Sequence, residues 1–112
     1  MAGIIGSTQN NRVGITGVAP WCTLMPVSCY RNGYDPGVIL KLADGINWAW
    51  ENDADVINCS WVTEDVHSMI VYDAIYNAIT FGRGGLGAVV VFPAGNNYNS
   101  IPFPANVPEV IT

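Results

Sequence analysis

The sequence predicts an α/β fold in three layers, a parallel sheet with flanking helices. Two observations carry this expectation. Residues 88–97 read Ala-Val-Val-Val-Phe-Pro-Ala-Gly-Asn-Asn, and a short β-branched run closed by such a turn is how a strand buried on both faces of a parallel sheet reads. Runs of this kind alternate with longer segments that are apolar at helical spacing. That alternation means parallel strands joined by right-handed crossovers, with helices covering the sheet.

Composition sets the outer bounds. A length of 112 residues suffices for one compact domain with its own core. Apolar residues make up 50% of the chain and charged residues only 12%, which is low for a domain with its whole surface in water, so part of that surface is expected to be covered. The net charge is -5 with four Lys and Arg in total. Phosphate binding needs clustered cations, so no nucleic-acid partner is expected. No apolar run approaches the roughly 18 residues of a membrane span, and the N-terminus lacks the pattern of a signal peptide, so any export signal is expected outside this chain. Cys22, Cys29 and Cys59 form an odd set with no C-x-x-C pair. They fall in or beside predicted buried strands and read as packed thiols rather than metal ligands or a disulfide.

In chain order, Met1 to Gly6 has no capping residue and reads as the tail of a helix that begins outside the chain. Ser7 to Arg12 is a polar loop and Gly14 to Pro20 is turn chemistry; Cys22 to Cys29 has the apolar, β-branched content of a strand despite Pro26. Asp35-Pro36 is a helix start, because Asp accepts from free N–H groups and Pro at the first position needs no partner. The helix should run to about Glu51, with Ile39, Leu42, Ala43, Ile46 and Trp50 inward and Lys41, Asp44 and Asn47 toward water. Asp53 and Asp55 fall in the turn that follows. Val56 to Trp61 reads as a second central strand, and Val66 to Phe81 as a second amphipathic helix closed by Gly82. A loop with Pro102, Pro104 and Pro108 then leads to Val110-Ile111-Thr112, the beginning of another strand.

Open α/β sheets bind ligands where their parallel strands end, which puts Asn96 at the rim with an amide that can donate two hydrogen bonds. Such a donor suits a developing oxyanion. The residues alone equally allow Asn96 and Asn97 to be turn residues that tolerate a left-handed backbone.

Four stretches carry a family resemblance: Gly17-Val18-Ala19-Pro20, Asp55-Val56-Ile57-Asn58-Cys59-Ser60, Val89-Val90-Val91 with Ala94-Gly95-Asn96, and Pro104-Ala105 leading to Pro108-Glu109-Val110-Ile111. In order and spacing they resemble the middle of a subtilisin-like serine protease, and Ala2-Gly3-Ile4-Ile5-Gly6 resembles the helix after that family's His-Gly-Thr-His motif. The resemblance implies a single partial domain over residues 1–112, an incomplete subtilisin-like fold. It places the triad Asp and His before Met1 and the nucleophilic Ser after Thr112, so this chain by itself is expected to be inactive. Asn96 is implied as the side-chain donor of the oxyanion hole. Ser60, Trp61 and Val62 would line one side of an extended peptide through main-chain bonds. Pro93, Ala94 and Gly95 would wall the pocket for the residue before the scissile bond, with Tyr30 to Gly33 as a further wall. The chain departs from the family at two of these positions, with Val62 where Gly is usual and Pro93 where Ala is usual.

No metal is expected from this chain. Gln9 to Ile15 resembles a calcium loop of some members, with Asn11 as side-chain ligand and carbonyls from Gln9, Val13 and Ile15. It has no carboxylate, however, and calcium takes six to eight oxygens, so calcium belongs to the parent protein if anywhere. The resemblance further implies peptide or protein substrates for the parent, a secreted or cell-envelope location, and self-association of the fragment through uncovered apolar surface. The competing class is a pseudoprotease, a non-enzymatic peptide-binding or structural module.

Three local matches lead elsewhere and are set aside. Gly82 to Gly87 fits G-x-G-x-x-G but follows a helix and precedes a strand, the reverse of a dinucleotide site. Asn58-Cys59-Ser60 is a nominal glycosylation sequon placed in a predicted buried strand. Ser60, Asp65 and His67 lack the G-x-S-x-G elbow of a nucleophile, and His67 reads as solvated.

Overall fold

The computed structural model describes residues 1–29, 36–63, 67–96 and 100–112. Among them the elements are α1 (Ala2–Gly6), α2 (Val38–Glu51), β1 (Val56–Asn58), α3 (Met69–Gly85) and β2 (Val89–Val91). β1 and β2 pair in parallel with Ile57 opposite Val90. Ile111 adds a parallel bridge to Val91, so the strand expected at 110–112 is present as its first contact. There the Phe92 N–H donates to the Ile111 carbonyl and the Ile111 N–H to that of Val90, each at 2.9 Å.

The core sits between the sheet and the two long helices. α2 presents Ala43, Ile46 and Ala49; α3 presents Val71, Ala74, Ile75 and Ala78; the strands add Ile57 and Val90. Small alanines on both helices allow a close approach, and α2 and α3 pack on each other as well as on the adjoining strand. Burial of each Ile or Val side chain contributes about 1.5–3 kcal/mol. Trp50 is held at the edge of this layer, its Nε1–H donating to Asn47 Oδ1 at 3.0 Å.

The return from α3 to β2 is made by glycine. The regular helix ends at Phe81, because Gly82 (ψ 158°) and the left-handed Arg83 and Gly84 leave helical geometry. Gly87 has φ +85°, and a Cβ there would lie 2.3 Å from the Ile79 carbonyl oxygen. Only glycine takes that conformation at that approach without strain. The left-handed Arg83 reaches back, with Nε 3.0 Å from Asp55 Oδ1, tying this turn to the one that precedes β1. Both groups are well exposed, so the pair adds little stability.

Several expectations are corrected. Residues 22–29 form no strand; Pro26 has no N–H to give a ladder, and the segment lies along α2 instead. A Cβ at Gly45 would meet Cys29 Sγ at 2.3 Å and Val27 at 3.3 Å, so the missing side chain is what lets the segment lie there. Cys22 is consequently exposed, Cys29 half-buried and only Cys59 buried. Helix α2 starts at Val38 after an N-cap Gly37, with no side-chain cap; Pro36 lies in the preceding turn, and Asp35 is outside the described residues. α3 starts at Met69 after an extended Ser68 rather than at Val66, which is also outside them. β1 stops at Asn58, not Trp61. The strands are covered on one face only. Ile57 and Val90 are buried, whereas Val56 and Asn58 are exposed and Val89 and Val91 half-buried, because α2 and α3 lie on the same side. Asn58 and Ser60 are thus exposed, not buried as the sequon was read.

Candidate functional site

Parallel pairing carries both strands to the same edge of the sheet. The last bond across them runs from the Cys59 N–H to the Val91 carbonyl at 2.9 Å, and beyond it the chains part because Pro93 cannot donate. Residues 60–62 continue one strand and residues 92–96 the other. Ser60 is exposed and its Oγ accepts from Asn58 Nδ2 at 2.8 Å. Trp61 is half-buried, its ring edge-on to Phe92 with centroids 5.1 Å apart and planes at 86°, which is the favourable geometry for an aromatic pair. Val62 is half-buried.

Pro93 and Ala94 are exposed on the facing segment. Gly95 has φ +83°, and a Cβ there would stand 3.1 Å from Pro102, so glycine serves both the turn and the close packing. Asn96 follows, exposed, and its side-chain amide makes no hydrogen bond to another described residue. The structure therefore brings 60–62 and 93–95 to one edge through Trp61 and Phe92 and presents Asn96 beyond them. Asn97, and the Tyr30 to Gly33 wall, lie outside the described residues.

One contact of this site has no counterpart in the sequence reading. Phe103 is 5% exposed, and its carbonyl accepts both the Thr63 N–H at 2.9 Å and the Thr63 Oγ1–H at 3.2 Å. The His67 ring lies against the Phe103 ring at 5.1 Å. The only sequence signal is an aromatic residue set between Pro102 and Pro104.

The thiol next to Ser60 is not a nucleophile. Burial pushes the Cys59 thiol up to about 12, and neighbouring Cys29 adds to it; the thiolate that attacks or binds metal is thereby withheld. Cys29 is raised too, first by burial and then by Asp44. His67 is exposed, and Asp65 lies outside the described residues.

Loop 9–15 does not by itself suit a calcium ion. Asn11 Oδ1 already accepts the Val13 N–H at 3.0 Å, and no carboxylate is present between Gln9 and Ile15. Among the described residues no three His, Cys, Asp or Glu side chains cluster as metal ligands. A concavity of about 380 Å³ is lined by Val27, Cys29, Asp44 and Trp48.

The model of the Subtilase family matches residues 1–112. The chain belongs to the subtilase family. It is 37% identical, over 99% of its length, to the thermophilic serine proteinase of Bacillus sp. (strain AK1), of which it covers 26%. It is 35% identical over 82% of its length to a calcium-dependent protease of Trichormus variabilis, covering 16% of that protein. It is 33% identical over 99% of its length to the minor extracellular protease Epr of Bacillus subtilis, again covering 16%. This subtilase chain thus spans about a quarter or less of these relatives. No helix among its described residues is long and apolar enough to cross a membrane.

Proposed function

We propose that this subtilase chain is the central part of the catalytic domain of a serine endopeptidase that hydrolyses peptide bonds through an acyl-enzyme. The observation that carries the reading is the shared strand edge, where residues 60–62 and 93–95 extend from one parallel pair and lead to the exposed Asn96, whose amide has no hydrogen bond to another described residue. An extended peptide would lie along Ser60, Trp61 and Val62, paired through main-chain groups. Pro93, Ala94 and Gly95 would wall the pocket for the residue before the scissile bond. Asn96 would donate to the oxyanion of the tetrahedral intermediate, a neutral dipole held ready where negative charge develops. The Asp, His and Ser of the triad would come from the parent protein on either side of residues 1–112. Further parent elements would cover the open sheet face, giving the third layer and completing a single domain. Calcium, if the parent binds it at loop 9–15, would draw its remaining oxygens from outside this chain. A secreted or cell-envelope location fits these roles.

The test compares the full-length parent with the isolated 112-residue chain, using a fluorogenic peptide and a serine-directed phosphonate probe. The parent is expected to cleave the peptide and take up the probe, and the isolated chain to do neither, since an oxyanion donor has nothing to stabilise without nucleophile and base. Labelling of the pure isolated chain refutes the assignment. A second reading, a peptide-binding pseudoprotease, is favoured by the bulkier Val62 and Pro93 in the cleft walls; its signature is peptide binding by the parent without cleavage.

A further inference from the structure

We propose that Thr63 is a positioning residue that sets the width of the substrate pocket by tying one cleft wall to the loop that supports the other. The inference rests on the reading of 60–62 and 93–95 as cleft walls. Two donors from one residue converge on the Phe103 carbonyl, the Thr63 N–H at 2.9 Å and its hydroxyl at 3.2 Å. Any residue except proline offers the N–H, but the second bond needs a hydroxyl. The acceptor is a fixed point, because Pro102, Phe103, Pro104 and Ala105 are all buried.

The same loop touches the opposite wall. Pro102 stands where a side chain on Gly95 would be, 3.1 Å from that Cβ position. Adjacent residues of one buried loop therefore support both walls, Pro102 beneath Gly95 and Phe103 holding Thr63. Near the sheet the wall separation is fixed by the Cys59–Val91 bond and the Trp61–Phe92 contact. Farther out it is fixed by Thr63. With the hydroxyl gone, residues 60–62 keep their root in the ladder but lose one bond of their outer anchor, and the wall can yield to a larger side chain.

The experiment uses the full-length parent and a pair of peptides that differ only in alanine or phenylalanine before the scissile bond. Thr63→Val, which keeps the N–H and the shape but not the hydroxyl, is expected to shift the ratio of kcat/KM by about fivefold or more toward phenylalanine, the shift appearing in KM and not in kcat. Thr63→Ser, which keeps the hydroxyl, restores the wild-type ratio. Should Thr63→Val fail to fold, Thr63→Ala removes the same hydroxyl while keeping Cβ and the N–H, and is read the same way. An active variant whose ratio stays within about twofold of wild type, or one that changes kcat alone, overturns the role of Thr63 and leaves the proposed function standing. A full-length parent that cleaves neither peptide overturns both.

Discussion

Asn96 and Thr63 show what single residues do here and how differently they are read. The Asn96 amide follows a valine run and a Pro-Ala-Gly turn, so local pattern alone delivers it to a strand end. Replacing it with alanine in the full-length parent is expected to lower kcat by about 10²–10³, the magnitude established for a donor of this kind in a subtilisin, with KM for the same peptide little changed. A loss below about threefold in steady-state kinetics would instead assign Asn96 to the turn. Thr63 could not be found this way, because its acceptor is 40 residues distant in sequence and nothing local marks the pairing. Cys59 was legible as a packed thiol from its apolar strand. Cys22 was not, since its exposure follows from where the 22–29 segment lies and not from its own composition.

At the scale of elements, periodicity identified both long helices and the β1–α3–β2 order, because amphipathic spacing is a property of the sequence itself. Strand 22–29 failed because a strand needs a ladder partner, and beside this segment the described residues offer a helix. The ends of elements depended on backbone detail as well. Gly82 closes the regular part of α3 as its sequence suggests, while the N-terminus begins beyond Val66. The α3–β2 return gives a direct test of why its glycines are there. Gly87→Ala must adopt φ +85° with a Cβ 2.3 Å from a backbone oxygen, whereas Gly84→Ala meets nothing within 4 Å. The left-handed conformation alone costs about 1–2 kcal/mol. Thermal unfolding of the full-length parent is expected to show Gly87→Ala losing clearly more than that and Gly84→Ala about that much. Equal losses would mean that the return relaxes freely around Gly87.

Across the whole molecule, the described elements make two layers, with the second face of the sheet open. Val56 is 59% exposed and Ile111 57%, with Trp21 at 81% and Leu86 at 80% elsewhere on the surface. Open strand edges and apolar faces template association, so the isolated chain is expected to sediment as dimers or larger species at micromolar concentration. A strictly monomeric chain with one cooperative melting transition would show that this surface is tolerated in water. The low share of charged residues goes with this exposed apolar surface, but which face carries it depended on α2 and α3 packing on the same side of the strands. The β1–α3–β2 crossover gives the strand pair two unlike ends. The turns at 52–55 and 82–87, joined through Arg83 and Asp55, gather where β1 and β2 begin, and residues 60–62 and 93–95, the proposed cleft walls, gather where they finish. Leu86, 80% exposed and in ordinary right-handed backbone, therefore offers an attachment point a full strand length away from the proposed cleft, where a fluorophore or a surface tether can be placed without blocking the approach of a peptide.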